Sequence, residues 1–185
     1  MSKFGTTVFS GTRVTFESDQ PFESVLDDLL DDIGHEPVPL TDIARDAASW
    51  DEYQRAMAVH VGPSDFMLFA LLDHGSWIGK AGVQRKATRI ILGNPMIAIT
   101  LIRHDLTAGL FAPVELIVYE NDVGLASVDY VKPSSLLISP RSALLDAAIA
   151  LDEKLHRLVE KVTRMQAAGV SDRSSAPGTE DWHSS

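Results

Sequence analysis

The chain has 185 residues, 45% hydrophobic and 23% charged, which are the proportions of a globular protein with one core. Its net charge of −10 is concentrated in the N-terminal third, where residues 17–65 hold 13 acidic side chains against only Arg45 and Arg55, so binding to nucleic acid or an anionic membrane is disfavoured. Cys is absent, which excludes disulfides, thiol nucleophiles and thiolate metal sites together; no apolar run nears the ~18 residues of a membrane span, and MSKFGTTVFSG lacks the apolar segment of a secretory signal, so a cytoplasmic address is expected.

The first element in chain order is TRVTFES, residues 12–18, whose alternation predicts a strand. Phe22, Val25, Leu26, Leu29, Leu30 and Ile33 then recur at helical spacing, with Ser18 or Asp19 available as cap, Pro21 near the first turn and Gly34 as the stop. The acidic run DDLLDD within this helix reads as a solvated face, because it lacks the Gly-containing oxygen-ligand loop of a calcium site. Residues 35–48, with Pro37 and Pro39, read as loop. SWDE is a capping box, Ser49 to Glu52, opening a helix to about His60. GPSD at 62–65 turns the chain into FMLFALL, residues 66–72, short and apolar enough for a buried strand.

The segment DHGSWIGKAG leads to a strand at about 87–92, the Gly93-Asn94-Pro95 corner, and a nearly all-apolar helix at about 96–109, expected to be buried on most sides. Pro113 resets the chain into VELIVYE, NDVG turns it, and LASVDYV returns as an antiparallel partner. Leu144, Leu145, Ala148, Leu151, Leu155, Leu158 and Val162 mark one face of a last helix from about Ser142 to Met165. The expected organisation is one α+β domain over residues 1–166, a mostly antiparallel or mixed sheet of about five strands covered by helices, with a flexible tail at 167–185.

GSWIGKAG fits neither phosphate loop. Its glycines fall at 75, 79 and 82, the wrong spacing for either pattern, and Ala81 rather than a hydroxyl residue follows Lys80. The Gly93-Asn94-Pro95 corner could present backbone N–H groups to a ligand, or could simply turn the chain, with Asn94 capping the helix and Pro95 presetting φ. Two histidines have an acidic neighbour, Asp73-His74 and His104-Asp105, and a carboxylate can poise an imidazole for acid–base work. Adjacent residues seldom face each other, so His74 would have to meet Asp105 or His104 across the fold. His156 lies in a single Glu-x-x-His spacing and reads as a solvated helix face. Asp129, Tyr130, Ser134 and Ser135 in DYVKPSSLL could close a pocket mouth or form an ordinary capping turn.

FMLFALLDHGSW, RIILGNPMIAITLIRHD and LFAPVELIVYENDVGLASVDYVKPSSLL together resemble the domain of unknown function 302 family, over about residues 65–140 and more loosely at 12–34. The resemblance implies a compact sheet covered by helices and a homodimer, with no established reaction and no catalytic residues to carry over. An acidic insertion at about 36–64 and the DHGSW stretch depart from the short members of that family.

Two functions fit this sequence. One is a homodimeric small-molecule-binding or accessory domain, its apolar pocket edged by Trp77, Gly93, Asn94, Pro95, Tyr130 and Ser134. The other is a cofactor-independent isomerase or lyase with His74 or His104 as general acid–base and Asp105 among its candidate catalytic residues. Neither a metal site nor a cofactor is expected.

Overall fold

The computed structural model describes residues 4–137 and 142–164. In chain order they form β1 (Arg13–Glu17), α1 (Phe22–Ile33), α2 (Leu40–Asp46), α3 (Trp50–Ala58), β2 (Met67–Asp73), α4 (Gly75–Ile78), β3 (Ala87–Gly93), α5 (Pro95–Ile102), β4 (Val114–Glu120), β5 (Ala126–Val131), α6 (Pro133–Leu136) and α7 (Ser142–Thr163). The proposed tail at 167–185 lies outside the described residues. Among those described, no helix is long and apolar enough to cross a membrane.

All strand pairs are antiparallel, in the order β1-β5-β4-β3-β2, so the α+β reading holds. Strand alternation gives the sheet two unlike faces. One carries Val128 and Tyr130, Val114, Leu116 and Val118, Ile90 and Leu92, all buried with the apolar stripes of α1 and α7. The other carries Arg13, Asp129, Glu115, Ile117 and Arg89, half-buried or exposed. Register rows fix their order on this face: Thr15, Asp129, Ile117 and Arg89 lie in one row, with Glu115 and Ile91 paired in the next.

Local chemistry explains most element ends. Gly34 stops α1 at φ 99° while its N–H bonds the Leu30 carbonyl. The β4–β5 turn is tied by Asn121, whose side-chain oxygen accepts from the N–H groups of Val123 and Leu125, and Gly124 supplies φ 81°. Ser49 caps α3 by accepting from the Glu52 N–H, and Glu52 reaches back to the Ala48 N–H.

Several expectations change. Residues 35–48 are not all loop, because α2 forms there. No side chain caps α1; Ser18 instead accepts from the Gln20 N–H and donates to the Thr163 carbonyl, joining the start of α1 to the end of α7. β2 is an edge strand, so Leu71 and Leu72 in its second half are exposed rather than buried. The apolar helix ends at Ile102, not 109. Asp105 adopts extended backbone and caps a separate 3-10 turn, Leu106–Leu110, by accepting from the N–H and hydroxyl of Thr107. Nor is α5 enclosed, since Leu101 is its one fully buried residue.

Asp32 fastens the acidic segment to the core. Its buried carboxylate accepts from the Ser64 N–H and hydroxyl, and from Lys161 of α7 at 2.6 Å. A Cβ at Gly62 would fall 1.7 Å from the Asp32 carbonyl oxygen, so only glycine lets the chain pass. Replacing Asp32 by Ala removes the acceptor of the part-buried Ser64 N–H and hydroxyl and is expected to cost about 2–3 kcal/mol in urea unfolding. Lys161→Ala should cost less than about 1 kcal/mol, because the lysine is largely solvated.

Candidate functional site

The sheet face without the core helices holds a groove of about 540 Å³. Its floor is β4 and β5, through Ile117, Glu115 and Val131, and its walls are Leu110, Phe111 and Pro113 on one side and Pro133 and Leu136 of α6 on the other. Two cations and two anions face it. Arg89 bonds Glu115, while Arg13 approaches Asp129 through Nε at 3.6 Å, beyond hydrogen-bond length. Asp129 also accepts from the Tyr119 hydroxyl at 3.3 Å. The groove is therefore apolar in its walls and charge-balanced across its strands.

A smaller cleft of about 160 Å³ lies at the Gly93-Asn94-Pro95 corner, bounded by Leu40, Phe69, Ile97 and Ala98 among others. The corner lines a cavity and turns the chain at once. Gly93 is required by close approach: a Cβ there would meet the Phe69 ring at 2.9 Å and Pro113 at 3.3 Å. Asn94, 8% exposed, caps α5 by accepting from the Met96 N–H at 2.8 Å and donates to the Asp65 carbonyl at 2.9 Å.

Of the candidate ligand-binding residues, the structure brings Gly93, Asn94 and Pro95 together and separates the rest from them. Tyr130 reaches the groove's edge, yet its hydroxyl lies 3.4 Å from Nδ1 of His156 on the helical side. Ser134 lines neither cavity; its N–H and hydroxyl both donate to Asp152, fixing α6 to α7. Trp77 is 57% exposed and donates through Nε1 to Nδ1 of His74 at 3.2 Å.

The candidate catalytic residues do not converge. His74 follows β2 at the end of the sheet where Asp73 pairs with Thr88, whereas His104 follows α5, which springs from the opposite end of β3. Asp105 serves the 3-10 turn as its cap. Neither histidine lines the groove or the corner cleft. His156, read as a solvated face, is exposed but packs its ring 5.1 Å from Phe16.

Sequence reasoning missed Arg13, Arg89, Glu115 and Ile117, while Asp129, read as able to close a pocket mouth, does line the groove. A signal existed in VELIVYE, where alternation sets an apolar Ile117 between Glu115 and Tyr119 on the otherwise polar face. What it could not supply was the neighbouring strands that bring the arginines alongside.

The model of a family described as domain of unknown function DUF302 matches residues 43–162, beginning inside the acidic segment. The crystal structure of an uncharacterised conserved DUF302 protein from Bacillus stearothermophilus is similar to this fold at TM-score 0.57 and 14% identity, over 81% of this chain and 97% of that one. No curated protein matches the chain.

Two outcomes follow from this geometry. Asn94→Ala loses the α5 cap and the tie to Asp65, and should lower stability by about 1–2 kcal/mol in chemical denaturation. Tyr130 is pushed up to about 12, first by burial and then by the negative charge of Asp152. The unfolded chain releases this proton near the ordinary value of about 10, so its contribution is whole below that pH and is lost as pH rises towards 12. Alkaline titration of stability should show this decline, and Tyr130→Phe should flatten it, leaving the part due to Tyr53 and Tyr119, which burial also raises.

Proposed function

The chain belongs to the DUF302 family, and from that membership, which brings no reaction with it, we propose that it is a small-molecule-binding module with its site in the groove on the open sheet face. One observation carries this reading. At about 540 Å³ the groove falls in the ~300–1,000 Å³ range of ligand sites, whereas the corner cleft alone is too small for more than a fragment. Mostly apolar walls with a few charged groups are the composition such sites need, the walls supplying affinity and the charges orientation. An acid–base enzyme would need His74 or His104 inside a cavity, and no observation favours that alternative.

Dimerisation belongs to the same reading. Six of the eight α5 residues are apolar and only partly buried, and Leu106 and Leu110 beside it are 82% and 79% exposed. A helix apolar all round is stable when covered on all sides, and a second copy would cover this one.

Two measurements test the proposal. Anilinonaphthalene sulfonate should bind the folded protein, shifting amide resonances at residues 114–117 and 129–131, and Ile117→Trp should weaken it about tenfold, or ~1.4 kcal/mol. Binding unaffected by that substitution overturns the groove as the site. In sedimentation, the wild type should run as a dimer and Leu106→Glu as a monomer.

A further inference from the structure

The groove and the corner cleft are neighbours, because Pro113 and Val114 line both. Their chemistry differs. The cleft is walled by hydrocarbon from Leu40, Phe66, Phe69, Ile97, Ala98 and Leu151, and both ends of its one amide, Asn94, are engaged within the fold. It suits an apolar group. The groove suits a singly charged anion instead. Each guanidinium has five N–H donors, which one carboxylate partner does not saturate, while Asp129 already has Arg13 and Tyr119 beside it. Glu115 and Asp129 keep the local charge near balance, which disfavours phosphates and other multiply charged anions.

The spacing connects the two. Arg89 and Gly93 lie four positions apart on β3, so at ~3.3 Å per residue about 13 Å separates the groove's cation from the cleft. We propose that groove and cleft together take an amphipathic carboxylate of medium chain length. Its carboxylate sits against Arg89, its chain crosses Pro113, and its terminal methyl enters the cleft beside Ile97 and Ala98. This rests on the groove being a binding site, and it adds the ligand class and a second compartment.

The test is isothermal titration of the full chain with decanoate, butanoate and decyltrimethylammonium, with nuclear Overhauser contacts from the terminal methyl of bound decanoate. Decanoate should bind one per chain, at least about a hundredfold tighter than butanoate, since each buried methylene strengthens binding several-fold. The cationic analogue should not compete. Arg89→Gln should weaken decanoate about tenfold, and Ala98→Phe or Leu40→Trp, which fill the cleft, should reduce it towards butanoate while leaving anilinonaphthalene sulfonate unchanged. Contacts from the methyl to Ile97 support the proposal without any variant. If that methyl contacts only Ile117 and Leu136, the second compartment is overturned. If anilinonaphthalene sulfonate binds the groove and decanoate does not, the ligand class falls and the groove stands. If neither binds, both fall.

Discussion

The structure depends on one layer of hydrocarbon lying on one side of one sheet. Val25 and Leu29 of α1 and Leu155, Leu158 and Val159 of α7 are fully buried with Val118, Val128 and Ile90 of the strands. Burial of such side chains at about 1.5–3 kcal/mol each supplies most of the drive to fold. Because the core helices occupy a single face, the opposite face is left for other work. The groove exists for that reason.

Everything else fastens pieces to this layer. The buried Asp32 carboxylate joins α1 to the Ser64 turn and to Lys161. Ser18 and Gln20 hold the last turn of α7, through the Thr163 and Arg164 carbonyls. Asp152 holds α6, and with it the Pro133–Leu136 wall of the groove. One helix therefore positions a wall of the open face from beneath the sheet. The corner acts likewise. Gly93 lets Phe69 and Pro113 close over the strand end, Asn94 starts α5, and the resulting bend leaves the cleft between them.

Charge is arranged with the same economy. The acidic third of the chain lies outside the groove, and its few cations do not enter it. Within the groove two guanidinium groups stand against two carboxylates, so orientation there comes from donors that remain available on arginine rather than from net field. The histidines that adjoin acidic residues are used elsewhere, His74 as acceptor for the Trp77 indole.

Local pattern alone located the strands and the two long helices, and offered the Asn94 cap as one reading of the corner. Period-two alternation in VELIVYE, the stripe from Leu144 to Val162 and the Asn-Pro cap each act within a few residues, and such interactions can be read along a chain. Sequence could not tell that FMLFALL is an edge strand, that the apolar helix breaks at Asp105, or that Arg13 and Arg89 share a groove. Those facts depend on which strand pairs with which, and pairing is decided by burial summed over the whole sheet. Residues 13 and 89 come to flank one groove only when β5 and β4 lie between β1 and β3, an order that no local spacing encodes.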